Sequence, residues 1–111
     1  MKRDYKLFIQ DIIDSINQIQ EYIKNVTEEV FMKNIQLQDA VIRRIEIIGE
    51  ASKNIPRVVK QANRDIPWIQ ISNYRNFITH SYFATSLQRI WAVAKKETPK
   101  LKESLKNIKL V

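Results

Sequence analysis

Apolar residues recur every three or four positions along most of the chain. The first such run extends from Tyr5 to Ile23, with Asp, Gln and Asn between its isoleucines at positions 9, 12, 13, 16, 19 and 23. This spacing predicts an amphipathic helix. Thr27 is a favourable N-cap and is followed by two glutamates, which the helix dipole stabilises in a first turn, so a short second helix is predicted to about Lys33.

The segment from Gln36 to Asn54 has two apolar stripes. One comprises Leu37, Val41, Ile45 and Ile48, and the other comprises Ala40, Ile47 and Ala51. A helix this wide in its apolar surface must bury both sides, which makes a second subunit a candidate partner for one of them. Gly49 interrupts good helix formers at a cost of about 1 kcal/mol relative to alanine, so it predicts a close helix crossing.

The second half of the chain contains all three prolines. Pro56 and Pro67 bracket a basic stretch predicted to form a short helix and a turn, because proline biases the preceding residue away from the α region. Helical spacing resumes over Trp68–Tyr82 and again from about Thr85. Within the last segment, Pro99 either starts a new helix capped by the residue before it or kinks one long helix.

These segments predict an all-α fold, an up-and-down bundle of about five helices in one domain over residues 1–111. Only one glycine is present, and the connections are short, which disfavours a protein of many hairpins and favours antiparallel helices. The two tryptophans are expected in the core. No apolar run approaches eighteen residues, so we expect a soluble, cytoplasmic protein with no membrane association.

Composition excludes several kinds of chemistry. The chain has no cysteine, one histidine and one glycine. It therefore offers no disulfide framework, thiolate nucleophile, iron–sulfur cluster or phosphate-binding glycine loop, and too few ligands for a transition metal unless subunits share them. The net charge is +7, and the positive charge is concentrated after residue 55. That half carries eleven basic and three acidic residues, a net charge of +8. This surface would attract RNA, although basic helical surfaces also serve solubility alone.

One polar cluster stands out in residues 74–82, YRNFITHSY. Arg75 supplies a permanent planar cation suited to phosphate, and His80 has the side chain whose ordinary pKa lies nearest neutrality. Together they suit phosphodiester cleavage. On an ideal helix they lie about 140° apart, so a shared site requires the helix to end near Thr79 or the arginine to bend around it. Tyr82 is seven residues after Arg75, so on an ideal helix it would lie on the same side as the arginine.

Each of these residues also has a structural interpretation. A lone histidine at a helix end is more often a capping or buried hydrogen-bonding residue than a catalyst. Arg75 is equally well explained by an ion pair with Glu46 or Glu50, and Tyr82 by a partly buried aromatic position. Spacing alone therefore leaves catalysis the weaker interpretation.

The order Arg75-Asn76, His80, Tyr82 resembles the R-x-x-x-x-H-x-Y signature of the HEPN superfamily, specifically the HepT-like toxins of prokaryotic toxin–antitoxin pairs. The resemblance extends to the segments DAVIRRIEIIGEA, at residues 39–51, and IPW, at residues 66–68, and to Trp91 and the last helix. Nearly the whole chain is covered. Thr85 departs from the pattern, since aspartate is common there, which leaves substrate or partner details open.

The resemblance implies a helical homodimer that cuts RNA without a metal or other cofactor. Arg75 and His80 would be catalytic and Asn76 would support the site. Tyr82 would accept AMP from a partner minimal nucleotidyltransferase antitoxin, which would silence the toxin. Two alternatives remain: a noncatalytic helical subunit that docks a nucleotidyltransferase, and a purely structural dimeric bundle.

Overall fold

Two long helices form the centre of the protein, whose computed structural model describes residues 3–78 and 84–110. Helix α1 spans Tyr5–Tyr22 and helix α3 spans Ile35–Lys53, and they pack against each other more extensively than any other pair. Their predicted apolar stripes meet in the core, which buries Ile9, Ile12, Ile16 and Ile19 of α1 and Val41, Ile45 and Ile48 of α3. The prediction of two amphipathic helices here is confirmed.

The short helix α2, Glu28–Lys33, lies between them in the chain. Its predicted cap is present, because the Thr27 hydroxyl accepts a hydrogen bond from the Val30 amide at 3.2 Å. The Asn34 side chain then caps α3 by accepting from the Leu37 amide at 3.0 Å. The α2 residue Phe31 is fully buried, and its ring centroid lies 5.2 Å from that of Trp91. Helix α2 is thereby fixed to both α3 and the later helix that carries Trp91.

Three short helices follow: α4, Arg57–Ala62; α5, Trp68–Ser72; and α6, Tyr74–Ile78. The short helix between the prolines is confirmed, but the single helix predicted from Trp68 to Tyr82 is interrupted at Asn73. There the Asn73 amide donates to the carbonyls of both Ile69 and Gln70, and the Ser72 hydroxyl also donates to Ile69, at 2.9 Å. The Asn73 bonds are backbone bonds, whereas serine side chains make such local bonds readily, which favours helix ends over helix interiors. The remainder of that predicted helix, residues 79–83, lies outside the described residues.

The C-terminal helical rod follows the second of the two alternatives for Pro99. Helix α7, Ala84–Ala92, continues through a π-helical segment, Val93–Glu97, into helix α8, Thr98–Lys106. The Thr98 amide donates to the carbonyl of Val93, five residues earlier, and its hydroxyl donates to Ala94 at 2.9 Å. A proline ring clashes with the carbonyl four residues before it in a regular helix. The wider π turn accommodates Pro99 without ending the rod.

Gly49 of α3 lies at a helix crossing, as predicted. A Cβ atom there would lie 3.5 Å from the carbonyl oxygen of Ile71 and 3.8 Å from Cβ of Tyr74. These are ordinary van der Waals distances, so the crossing is close but leaves room for a methyl group. On the second stripe of α3, Ala51 is buried, whereas Ala40 and Ile47 stay partly exposed.

The described residues form an all-α structure, which confirms the predicted fold class. Both tryptophans pack at the edge of the core and are only partly buried, because Trp68 also faces a surface cleft and Trp91 covers Phe31 from the solvent side. Among the described helices, none combines the length and apolar character needed to cross a membrane.

Candidate functional site

Helix α6 carries the two described residues of the predicted motif. Tyr74 anchors it, with only 2% of its surface exposed, and Arg75 and Asn76 follow on the exposed side. His80 and Tyr82 lie outside the described residues, so the predicted cluster is seen only in its first half. The candidate partner Glu46 is engaged by Arg43 of its own helix. The structure thus presents Arg75 and Asn76 as neighbours on one exposed surface.

One carboxylate, Glu97, ties this motif helix to the rest of the bundle. Its Oε1 accepts hydrogen bonds from Gln70 at 2.6 Å and from the Tyr74 hydroxyl at 3.3 Å, and its Oε2 pairs with Arg89 at 2.5 Å. These four residues, which we name the Glu97 cluster, join α5, α6 and α7 to the π-helical segment. The residue before Arg75 is therefore held by both burial and a hydrogen bond.

The same environment perturbs the Tyr74 phenol. Burial raises its pKa above the ordinary value because the phenolate loses hydration, and the nearby Glu97 carboxylate raises it further by its charge and by its hydrogen bond. Arg89 acts in the opposite direction, with a smaller effect. Tyr74 is accordingly a neutral hydrogen-bond donor at physiological pH.

Sequence reasoning missed the Glu97 cluster. Its members are separated by up to 27 positions, and apolar periodicity does not indicate which polar side chains of different helices meet. One signal was available, since Glu97 is one of only three acidic residues after position 55. A carboxylate in so basic a segment is a good candidate for a structural ion pair.

A surface cleft of about 810 Å³ opens between α4, α5 and α7. We name it the α4–α5 cleft. Its described lining includes four cations and no carboxylate, and the cations are Arg57, Lys60, Arg64 and Arg89. Asn73, which separates α5 from α6, also lines it. The cleft therefore lies at the beginning of the helix that carries Arg75.

The wall of this cleft is apolar where α5 begins. The Trp68 indole donates to the carbonyl of Asn63 at 3.0 Å, and the Lys60 ammonium lies 5.8 Å from its ring centroid. Ile69 beside it is 79% exposed, which makes it the most exposed large hydrophobic residue described. Partial burial against this wall lowers the pKa of Lys60.

Asn63 fixes the loop that leads into the cleft. It is 4% exposed, and its Nδ2 donates to the carbonyls of Val59 and Lys109, each at 2.8 Å. Its Oδ1 accepts from the Lys109 amide at 2.7 Å. One buried side chain thus holds α4 and the end of the described chain together beneath Trp68.

This arrangement is suited to binding a polyanion. Cations with an apolar wall can hold phosphates and bases together, and Arg75 lies on the helix that starts at the rim of the cleft. In residues 3–78 and 84–110, no three histidine, aspartate or glutamate side chains come together as metal ligands.

Comparison with known proteins adds a family to this geometry. Residues 12–108 match the family model described as HepT-like, Ribonuclease HepT-like. The chain is 37% identical over 109 residues to a protein of Thermococcus cleftensis named "Probable ribonuclease HepT", covering 98% of this chain and 99% of that one.

A second relative is longer. The chain is 44% identical over 108 residues to a Methanocaldococcus jannaschii protein named "Gamma-glutamylcyclotransferase and putative RNase", covering 97% of this chain but 49% of the relative. The chain thus spans about half the length of that relative. No solved structure matches the chain. The family match covers most of the sequence, and the chain therefore belongs to the HepT-like ribonuclease family.

Proposed function

We propose that this protein is an endoribonuclease toxin that cleaves RNA through the substrate's own 2′-hydroxyl, without a metal. The main support is that Arg75 and His80, spaced as in the family signature, fall within the residues that match the HepT-like ribonuclease family. The exposure of Arg75 and Asn76 beside a cationic cleft agrees with this function. Such a function belongs in the cytoplasm, where its RNA substrate is found.

Cleavage of this kind needs one group to remove the 2′-hydroxyl proton and another to protonate the leaving 5′-oxygen. Each chain has a single histidine. The His80 side chains of a symmetric homodimer would divide or share these tasks, each contributing about 10²- to 10⁴-fold. Arg75 would stabilise the dianionic phosphorane. Loss of such a stabilising group typically costs about 3–4 kcal/mol of activation free energy.

Tyr82 is the proposed site of control by a partner nucleotidyltransferase. The partner would transfer AMP from ATP to this hydroxyl and release pyrophosphate, which would add a negatively charged phosphate two residues from His80. That charge would repel the RNA backbone and pair with Arg75. Inhibition would then be local and electrostatic.

The test is incubation of the purified protein with total RNA in the presence of a chelator, followed by identification of the new ends. Wild type should leave 2′,3′-cyclic phosphate and 5′-hydroxyl ends, and His80→Ala and Arg75→Ala should not. Arg43→Ala is the matched control, because Arg43 is exposed and pairs with Glu46 of its own helix. Wild-type protein that binds a nucleotidyltransferase but cuts no RNA would instead identify a docking subunit.

A further inference from the structure

We infer that the α4–α5 cleft holds a single-stranded segment of the RNA beside the catalytic motif, an inference that rests on the proposed function. The cleft is lined by cations. Arg57, Lys60 and Arg64 make no ion pair with any described residue, and no described carboxylate lines the cleft. Their combined charge is therefore available to phosphates.

The cleft also has an apolar wall. A site for phosphate alone would gain nothing from Ile69, whose 79% exposure leaves apolar surface in water unless a ligand covers it. Trp68 and Pro67 extend this wall, and Lys60, which is partly desolvated, also lines the cleft. A nucleotide presents a negative phosphate and the flat apolar face of a base together, which matches this pairing.

The exposed apolar wall of the cleft favours a single strand over a duplex. Double-stranded RNA shows proteins its phosphates and 2′-hydroxyls across a shallow groove, and its base faces are stacked away from contact. The cleft has a volume of about 810 Å³, which is within the usual range of about 300–1,000 Å³ for ligand sites. Unstacked bases can lie against Ile69 and Trp68, whereas the bases of a duplex are already stacked on one another.

The position of the cleft relates it to the motif. Asn73 lines the cleft, and the Asn76 amide donates to its carbonyl at 2.9 Å within the first turn leading into α6. Arg89 lines the cleft from the other side and is bound to Glu97, which also holds Tyr74. A strand in the cleft would therefore pass next to the helix that carries Arg75.

The first experiment measures binding of a fluorescent, 2′-O-methylated single strand of about 12 nucleotides, which cannot be cleaved through its 2′-oxygen. Arg57→Gln with Arg64→Gln should weaken binding about tenfold and reduce the slope of log affinity against log salt by about 1.4. Lys95→Gln with Lys96→Gln removes the same charge from exposed positions outside the cleft lining. This control should change affinity less than about twofold.

The second experiment tests the base contact. Ile69→Ala should weaken binding of the same strand and leave binding of a matched duplex unchanged, whereas Ile35→Ala, at a position 72% exposed elsewhere, should affect neither. The inference would be overturned if the double arginine variant and the double lysine variant lost RNA affinity equally. It would also be overturned if Arg57→Gln with Arg64→Gln bound the strand with wild-type affinity. A change in oligomeric mass caused by the cleft variants would overturn it as well, because it would identify the cleft as a protein interface.

Cleavage assays separate this inference from the proposed function. His80→Ala should bind the uncleavable strand as wild type does. If wild type binds through the cleft but cuts no RNA, the proposed function fails and the cleft site stands. If wild type cuts RNA and the Arg57→Gln, Arg64→Gln variant cuts it with an unchanged KM, the cleft site fails and the proposed function stands.

Discussion

The Tyr74 hydroxyl lies 3.3 Å from Oε1 of Glu97 and donates a hydrogen bond to it, joining the helix that carries Arg75 to the π-helical segment. The two residues are 23 positions apart in sequence. Because Tyr74 is buried and directly precedes Arg75, this contact holds the helix next to the exposed arginine.

Tyr74→Phe should lower the free energy of unfolding by about 0.5–1.5 kcal/mol at neutral pH, the usual net value of one hydrogen bond. The substitution should also change how the free energy of unfolding depends on pH in the alkaline range. The folded-state pKa of Tyr74 is raised, so its contribution is fully present below the ordinary tyrosine pKa of about 10 and is lost as the pH rises beyond it.

Urea unfolding between neutral pH and pH about 11 measures this difference, since about 10 is the tyrosine pKa in the unfolded chain. The wild-type free energy should fall more steeply above that pKa than that of Tyr74→Phe. Parallel curves for wild type and Tyr74→Phe would contradict the assignment.

Glu97→Gln tests the cluster as a whole. The amide keeps the size of the carboxylate but loses its charge, which weakens the contacts with Gln70, Tyr74 and Arg89 together. Because the Glu97 side chain is 22% exposed and that of Arg89 43%, solvent screening limits the expected loss to about 1–2 kcal/mol. Thermal unfolding compares it with Glu103→Gln. The ion pair of Glu103 with Lys106 is exposed, so the loss there should stay below about 0.5 kcal/mol.

Asn63→Ala should be among the most damaging single polar substitutions. It removes three hydrogen bonds from a buried position and leaves the backbone of Lys109 and the carbonyl of Val59 without that partner, which costs about 2–3 kcal/mol. Chemical denaturation checks this value. Asn107→Ala is the control, because its side chain is exposed and makes one long bond of 3.3 Å, and an equal loss there would refute the role of Asn63.

Gly49→Ala should stabilise the protein by about 0.5–1 kcal/mol, because alanine loses less backbone entropy in a helix interior and its Cβ meets only ordinary contacts. Gly49→Leu should destabilise it, since a larger side chain meets the Ile71 carbonyl and Tyr74. Melting temperatures of the two variants decide the matter. A destabilised alanine variant would show that the helix crossing at Gly49 has no room for a methyl group.

Tyr82→Phe should prevent inhibition by a partner nucleotidyltransferase, because the acceptor hydroxyl is gone. Co-incubation with that partner and ATP, followed by intact-mass measurement and an RNA cleavage assay, tests this. Wild type should gain one or more AMP groups and lose cleavage, while Tyr82→Phe should gain none and stay active. AMP addition to Tyr82→Phe would place the modification elsewhere.

The helices that bury a continuous apolar stripe were predictable from sequence. Ile12 and Ile16 of α1, like Val41 and Ile45 of α3, satisfy the helical period and are all fully buried, since core burial itself imposes that period. The break at Asn73 was not predictable in this way, because Ile71 and Tyr74 keep a three-residue spacing across it. The side-chain bond of Ser72 and the backbone bonds of Asn73 close the last turn of α5 without disturbing the apolar pattern.

The candidate site was predictable in its residue types and not in its surroundings. Arg75 could be selected because it stands with Asn76, His80 and Tyr82 within eight residues of an otherwise apolar segment. The resemblance then assigned it a role. The cleft depends on Trp68 and Ile69 staying partly outside the core. Apolar residues are by default expected inside, so no sequence pattern distinguishes these two from buried ones.

The π turn before Pro99 also determines where Glu97 stands in the protein. A conventional break at proline would have produced two shorter helices and a loop at the level of Glu97. Instead, one continuous helical segment contributes Ile90 before the π turn and Leu101 and Leu105 after it to the same interior. The carboxylate that holds three elements therefore stands within a helical segment rather than in a loop.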